Sequence, residues 1–361
     1  MPRRFARSIV AWQRTHGRHD LPWQNTRDPY RIWVSEIMLQ QTQVAAVLGY
    51  YLRFLDRFPD VHALAAADPA EVMRLWSGLG YYSRARNLHR AARLVVDECG
   101  GRFPSTAEAL AVLPGVGRST AAAIAAFAFG ARAAILDGNV KRVLARHFSV
   151  EGDPGTAAVE RRLWQLAEAL LPADGIEAYT QGLMDLGATV CVRAQPRCGA
   201  CPLADGCTAH RDGRTAELPH RRVRKALPQR TAVMLVLVSD RGVLLERRAG
   251  AGIWGGLLCL PQAEPGAAAR ALAEVLGGDW AGRRALPAIE HGFTHFRLTI
   301  QPLLMRVRAQ ADVDLSRASG RLWLDPAEAA AAGVPAPVRR LLLEEVAQRV
   351  GSVVSRRRRA T

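Results

Sequence analysis

Leu113-Pro114-Gly115-Val116-Gly117 separates two helical stretches, 106–112 and 118–129, and its reading decides the fold of the N-terminal half. Glycines at both turn positions let the backbone approach a ligand closely, because neither carries a Cβ. The amides that open the second stretch have no helical carbonyl to bond, so they point at an anion. An ordinary Gly-rich turn between two helices has the same composition. Outward from this turn the chain stays helical. Apolar residues recur at i, i+3, i+4 and i+7 over 5–15, 29–48, 50–57, 84–98, 140–147, 157–171 and 175–186. Breaks fall at Pro59, Gly78-Leu79-Gly80, Gly100-Gly101 and Gly152-Asp153-Pro154-Gly155. No strand alternation is visible in this half, which reads as an all-α domain over residues 1–213.

Residues 214–230 differ. Arg214, Arg221, Arg222, Arg224, Lys225 and Arg230 stand against a single acid, Glu217. The segment reads as a basic interdomain linker, either solvated or running along DNA. From 231 to 345 the pattern is α+β: strand-like runs at 231–239, 243–246 and 296–307, an Ala-rich helix at 266–277, and an apolar helix at 338–350. The basic tail 346–361, with Arg356–Arg359, is expected to be disordered.

Over 361 residues, 49 Lys+Arg against 33 Asp+Glu give a net charge of +16. Such an excess points to a polyanionic partner, nucleic acid or an anionic membrane surface. The longest apolar stretch, 120–129, is too short to span a bilayer, and no apolar segment follows the N-terminus as in a secretory signal. The expectation is a soluble, cytoplasmic protein without membrane contact. Four of the six cysteines crowd together as Cys191-x6-Cys198-x2-Cys201-x5-Cys207. Clustered thiols in a reducing compartment read as metal ligands, and the spacing alone accepts zinc or a [4Fe–4S] cluster. Cys99 and Cys259 lie outside the pattern and read as packing residues.

Two carboxylates stand in suggestive surroundings. On a helix, Glu36 has Ile32, Trp33, Leu39 and Gln40 as face neighbours. A carboxyl held against apolar side chains is desolvated and stays protonated as an acid; the plain alternative is a surface glutamate. Asp137, in Ile135-Leu136-Asp137-Gly138-Asn139-Val140, is also good helix-cap chemistry. Cleaving a base from deoxyribose needs an acid for the leaving base and a carboxylate for the positive sugar, and this pair could supply both.

The stretches V-S-E-I-M-L-Q-Q-T-Q-V (34–44), G-L-G-Y-Y-S-R-A-R-N-L (78–88), L-P-G-V-G-R-S-T-A (113–121) and I-L-D-G-N-V-K-R-V (135–143) resemble, in order, motifs of the MutY family. The match covers nearly the whole chain. The resemblance implies an all-α helix-hairpin-helix glycosylase domain with a [4Fe–4S] loop at 191–207, followed by an α+β Nudix-like (MutT-like) lesion-recognition domain at 231–345. It implies a base-flipping enzyme of base excision repair: a monomeric, nucleoid-associated bacterial DNA N-glycosylase, hydrolysing adenine from double-stranded DNA opposite 8-oxoguanine or guanine. By the same resemblance Glu36 protonates adenine N7 and later handles water, Asp137 stabilises the sugar cation, and Asn139 helps place it. Leu21, Trp23, Gln24, Ser119 and Gln181 belong to the adenine pocket. Gln41 and Tyr81 fill and wedge the duplex. Arg84, Arg86, Leu113, Gly115, Val116 and Gly117 contact DNA, and Cys191, Cys198, Cys201 and Cys207 hold one [4Fe–4S] cluster.

Three positions sharpen the expectation. Endonuclease III-type enzymes carry an amine nucleophile where this chain has Ser119, so strong strand-cleaving lyase activity is not expected. The family's Phe-Ser-His turn, which probes oxidised guanine, reads Phe293-Thr294-His295 here; threonine keeps the hydroxyl but is stiffer at χ1. A hydrolytic Nudix site needs an acidic helix for Mg²⁺, and 267–277 has only Glu274, so pyrophosphatase activity is not expected. A glycosylase/lyase for oxidised pyrimidines and a non-enzymatic lesion binder are the competing readings. Ser119 and the C-terminal domain oppose the first, and the Glu36/Asp137 pair opposes the second.

Overall fold

The computed structural model describes residues 2–220, 226–250, 252–307 and 320–347. Arg221, Arg222, Arg224 and Lys225 of the basic linker and the arginine-rich tail lie outside the described residues. The N-terminal part is helical throughout its described residues: α1 (Pro2–His16), α2 (Pro29–Leu39), α3 (Val44–Arg57), α4 (Val61–Ala65), α5 (Pro69–Trp76), α6 (Ser83–Cys99), α7 (Ala107–Leu110), α8 (Arg118–Phe129), α9 (Gly138–His147), α10 (Ala157–Ala169), α11 (Ile176–Thr189) and α12 (Thr208–Arg211). No helix among the described residues is long and apolar enough to cross a membrane.

Local chemistry explains the bounds. Asp28 caps α2 by accepting from the Tyr30 amide at 2.9 Å, with Pro29 at the first helical position. The apolar period suggested one helix over 29–48, but the chain breaks at 40–43, where Gln41 takes a left-handed φ of 57°. Helix α8 ends on Gly130 at φ 67°, and the amides of Gly130 and Ala131 return to the carbonyls of Ala126 and Ala125. Its run Ala121–Ala126 is buried, so small side chains let neighbouring helices approach closely. The core gathers Ile9 of α1, Val140 and Leu144 of α9, and Tyr179, Leu183 and Leu186 of α11.

The second part builds an eight-stranded mixed sheet from β1 (Gln229–Ser239), β2 (Gly242–Arg247), β3 (Leu258–Cys259), β4 (Gln262–Ala263), β5 (Arg284–Ala285), β6 (Ile289–Gly292), β7 (Arg297–Arg306) and β8 (Arg321–Leu324). Its path runs β3-β2-β1-β7-β5, and β1 and β7 pair in parallel from Gln229↔Arg297 to Val238↔Arg306. The continuous burial of Ala232–Leu237 marks β1 as covered on both faces. Helix α13 (Ala267–Val275) packs Ala269 and Ala273 against Val233, Leu235 and Leu237. The expected C-terminal helix, 338–350, is met by α15 (Ala336–Leu341), which runs on as a π-type turn, Leu342–Val346, and is preceded by a further short helix, α14 (Pro326–Ala331).

By packing, the chain divides into two compact units that are each discontinuous in sequence. Residues 67–86 group with 225 onward, while 1–66 group with 87–224. Inside that second unit the buried Ser77 hydroxyl donates to the Val334 carbonyl at 2.6 Å, and Arg86 donates to the Gly255 carbonyl at 2.7 Å. Gly333 packs against the Arg74 backbone so closely that a Cβ would sit 3.1 Å from it.

Candidate active site

Burying Trp33, Ile37 and Met38 in the core turns the Ile32, Ser35 and Glu36 side of α2 toward a half-open cavity of about 450 Å³ in the first unit. Glu36 lies on its wall, together with Trp23, Gln24, Gln181 and Arg18. Burial first, and then the negative charge of Asp137, together lift the Glu36 carboxyl from 4.5 to about 8. At neutral pH the group therefore holds its proton, as an acid must. The size of the cavity suits a small ligand.

The turn 21–24 presents Trp23 and Gln24. The Gln24 amide bonds the Leu21 carbonyl at 2.9 Å, and the Gln24 side-chain oxygen accepts from the Leu21 amide at 3.2 Å. The Gln24 Nε2 is buried with no hydrogen-bond partner among the described residues. Leu21 is buried behind this turn and does not line the cavity. Ser119 does not line it either: its hydroxyl accepts from the Leu136 amide at 2.9 Å and so pins the segment that delivers Asp137.

Asp137 caps α9, accepting from the Val140 amide at 2.8 Å. Burial raises its pKa, while the Val140 and Asn139 amides and the charges of Arg142 and Lys141 pull it back toward the ionised form. Asn139 accepts from Arg142 at 2.8 Å, and Arg142 reaches on to the carbonyls of Gly187 and Cys191, each at 2.7 Å. Gly187 has to be glycine, since a Cβ there would lie 2.5 Å from the Asn139 Cβ. Arg18, Arg142, Arg146, Asp185 and Gly187 were all missed at sequence level. Their types are commonplace, and only tertiary contact reveals what they hold.

The hairpin follows the sequence reading. Thr106 caps α7, Gly115 sits at φ 81°, and Gly117 caps α8, while Leu113 and Val116 are buried. A Cβ on Gly115 would meet Asn87 at 2.8 Å. Gln41 and Tyr81 share one unusual property: each is exposed and held at positive φ, 57° and 49°, a conformation that costs a non-glycine residue on the order of 1–3 kcal/mol. Arg84 corrects an expectation. Arg84 is only 7% exposed, donates to the carbonyls of Leu79 and Gly80 and lies over the Trp76 and Tyr81 rings. Arg86 is bonded to Gly255. Arg84 therefore braces the segment beneath Tyr81 from within, while Arg86 is half-buried.

Cys191, Cys198, Cys201 and Cys207 line one small cavity at the end of the first unit. Burial pushes Cys201 up to about 11 and raises Cys198 and Cys207, so thiolates there require a cationic centre between them. The buried Arg146 ties the loop down, bonding Cys191 Sγ at 3.4 Å and the carbonyls of Val192, Arg193 and Leu218. No group of three His, Cys, Asp or Glu among the described residues is close enough to hold a single ion. Four thiols lining one cavity are a donor set that zinc or an iron–sulfur centre accepts.

In the second unit Phe293-Thr294-His295 forms the turn between β6 and β7. Phe293 stacks on Phe296 at 4.6 Å and contacts Trp254 at 5.5 Å, while Thr294 and His295 are exposed.

Residues 34–169 match the HhH-GPD superfamily of base excision DNA repair proteins, and residues 232–344 match the NUDIX domain. The adenine DNA glycosylase of Buchnera aphidicola subsp. Acyrthosiphon pisum (strain APS) is 32% identical, over 94% of this chain and 96% of its own. That of Homo sapiens is 46% identical over 57% of this chain and 39% of its own. Among solved structures, a thermostable thymine-DNA glycosylase is 33% identical with a TM-score of 0.54, covering 58% of this chain and 97% of its own. With a helix-hairpin-helix domain and a Nudix domain in order, aligned along nearly the full length of such a relative, this chain belongs to the adenine DNA glycosylase (MutY) family.

Proposed function

We propose that this protein excises adenine from duplex DNA in which it is mispaired with 8-oxoguanine or guanine, with Glu36 as general acid and Asp137 as the carboxylate facing the sugar. One observation carries this reading: a carboxyl with a pKa of about 8, on the wall of a cavity large enough for a nucleobase, within electrostatic reach of a second carboxyl. The flipped adenine enters between Trp23 and the Gln181 face. Glu36 gives its proton to N7. The C1′–N9 bond breaks, its electron pair leaves with the base, and the positive charge on the sugar faces Asp137. Water then adds at C1′ and returns a proton to the Glu36 carboxylate. Asn139 keeps Asp137 in place, and the hairpin amides at 115–118 grip a phosphate. Gln41 and Tyr81 occupy the space the base vacates, and Phe293, Thr294 and His295 meet the opposite base.

Single-turnover release of adenine from a duplex carrying adenine opposite 8-oxoguanine, beside an undamaged duplex, tests the proposal. Release from neither duplex would sink it. The same reaction run on a gel without heat or alkali should leave the strand uncut, because Ser119 provides no amine for a Schiff base. Prompt strand scission would instead favour a lyase.

The four cysteines would hold a [4Fe–4S] cluster, a rigid covalent staple for the loop 191–207. Purified protein is expected to be brown, with about four irons per chain. Cys198→Ser should lower the iron content together with the melting temperature. Colourless protein with stoichiometric zinc would refute the assignment.

A further inference from the structure

Asp185 on α11 is 1% exposed and does not itself line the cavity. A lone buried carboxylate is costly, and this one is met by a full set of donors. The Arg18 amide reaches Oδ2 at 2.9 Å. Oδ1 takes Arg18 Nε at 2.7 Å, Arg18 Nη2 at 2.6 Å and Gln181 Nε2 at 2.9 Å. Arg18 and Gln181 are both cavity-lining side chains.

The consequence concerns hydrogen-bond polarity. A glutamine amide has two ends and would ordinarily present either one. Here Gln181 has its NH2 committed to Asp185, one helical turn away, so the end it can offer to a ligand is its oxygen, an acceptor. Arg18 is fixed by the same oxygens and can offer only N–H donors. We propose that Asp185 is the positioning residue that sets the choice of purine: it holds an acceptor and a donor side by side, the complement of an edge carrying an exocyclic amine beside an unprotonated ring nitrogen. That is the N6/N1 edge of adenine. Hypoxanthine and guanine present the reverse, a carbonyl oxygen beside a protonated N1, and would set acceptor against acceptor and donor against donor. The inference rests on the proposed excision at this cavity and adds the origin of its selectivity.

The test compares single-turnover excision of adenine and of hypoxanthine, each opposite 8-oxoguanine, in wild type and Asp185→Asn. The asparagine amide keeps the shape but releases Gln181 to turn round. Adenine excision is expected to fall about tenfold or more while hypoxanthine excision holds or rises, since a two-bond base contact discriminates on that scale. The adenine-to-hypoxanthine ratio therefore drops at least tenfold. A parallel fall in both rates, or an unchanged ratio, overturns the proposal, because a merely structural residue would not move the ratio. Should Asp185→Asn fail to fold, Gln181→Met leaves the Arg18–Asp185 pair standing and is expected to lower the same ratio; no change there overturns it equally. Wild-type protein that releases no adenine would instead defeat the excision reading, so the two failures are separable.

Discussion

Glu36→Gln is expected to slow adenine excision by about 10²- to 10⁴-fold, the usual worth of a positioned general acid, with duplex binding nearly unchanged. The two side chains have the same size, and glutamine keeps a polar end at the cavity wall but cannot deliver a proton. Wild-type activity should follow the state of this group. Its carboxyl titrates at about 8, so the acid form persists through neutrality. Above that value kcat/KM should fall about tenfold per pH unit, as the protonated fraction does. A variant that turns over normally, or a wild-type profile flat from pH 7 to pH 10, would remove Glu36 from the mechanism. A binding assay on the same mispaired duplex separates lost chemistry from lost affinity.

Asp137→Asn is expected to cost about 10²- to 10³-fold in excision, the scale of removing one preorganised electrostatic contact to a transition state. This variant is clean because Asp137 does two things that asparagine divides. As the cap of α9 it accepts from the Val140 amide, and asparagine caps as well as aspartate, whereas Asp137→Ala would sacrifice about 1 kcal/mol of stability as well. The melting temperature of Asp137→Asn should therefore stay close to wild type while the rate collapses. The alkaline limb gives a second readout. The negative charge of Asp137 helps raise Glu36; without it the Glu36 carboxyl titrates lower, and the pH at which residual activity halves should move down. A limb that stays put would show that the two carboxyls do not sense each other.

Much of this was legible before any coordinates. The hairpin could be read because its glycines are required by backbone geometry, and Gly115 occupies the left-handed region as the spacing implied. The β1 run was legible because a strand buried on both faces is apolar throughout. The break at 40–43 was not, since Gln-Gln-Thr-Gln carries neither glycine nor proline and the apolar period runs on across it. The apolar surroundings of Glu36 could be inferred from a helical wheel, but its proximity to Asp137 spans about a hundred residues, and no local pattern encodes it. Arg84 misled for a related reason. A run of arginines beside an aromatic looks like a nucleic-acid face, and only the fold reveals that its carbonyl partners at Leu79 and Gly80 have turned it inward. Asp185 carried no signal at all: one acid on an amphipathic helix is unremarkable until four N–H contacts converge on it.

The grouping of residues 67–86 with the C-terminal unit bears on the order of synthesis. This segment leaves the ribosome early, with Val72, Met73 and Trp76 apolar and in want of cover. The chain it packs with begins at residue 225 and emerges only after the whole of 87–224 has been made. The last part of the chain to be made thus completes the packing around a segment made near the start, and no single cut in the polypeptide separates the two units.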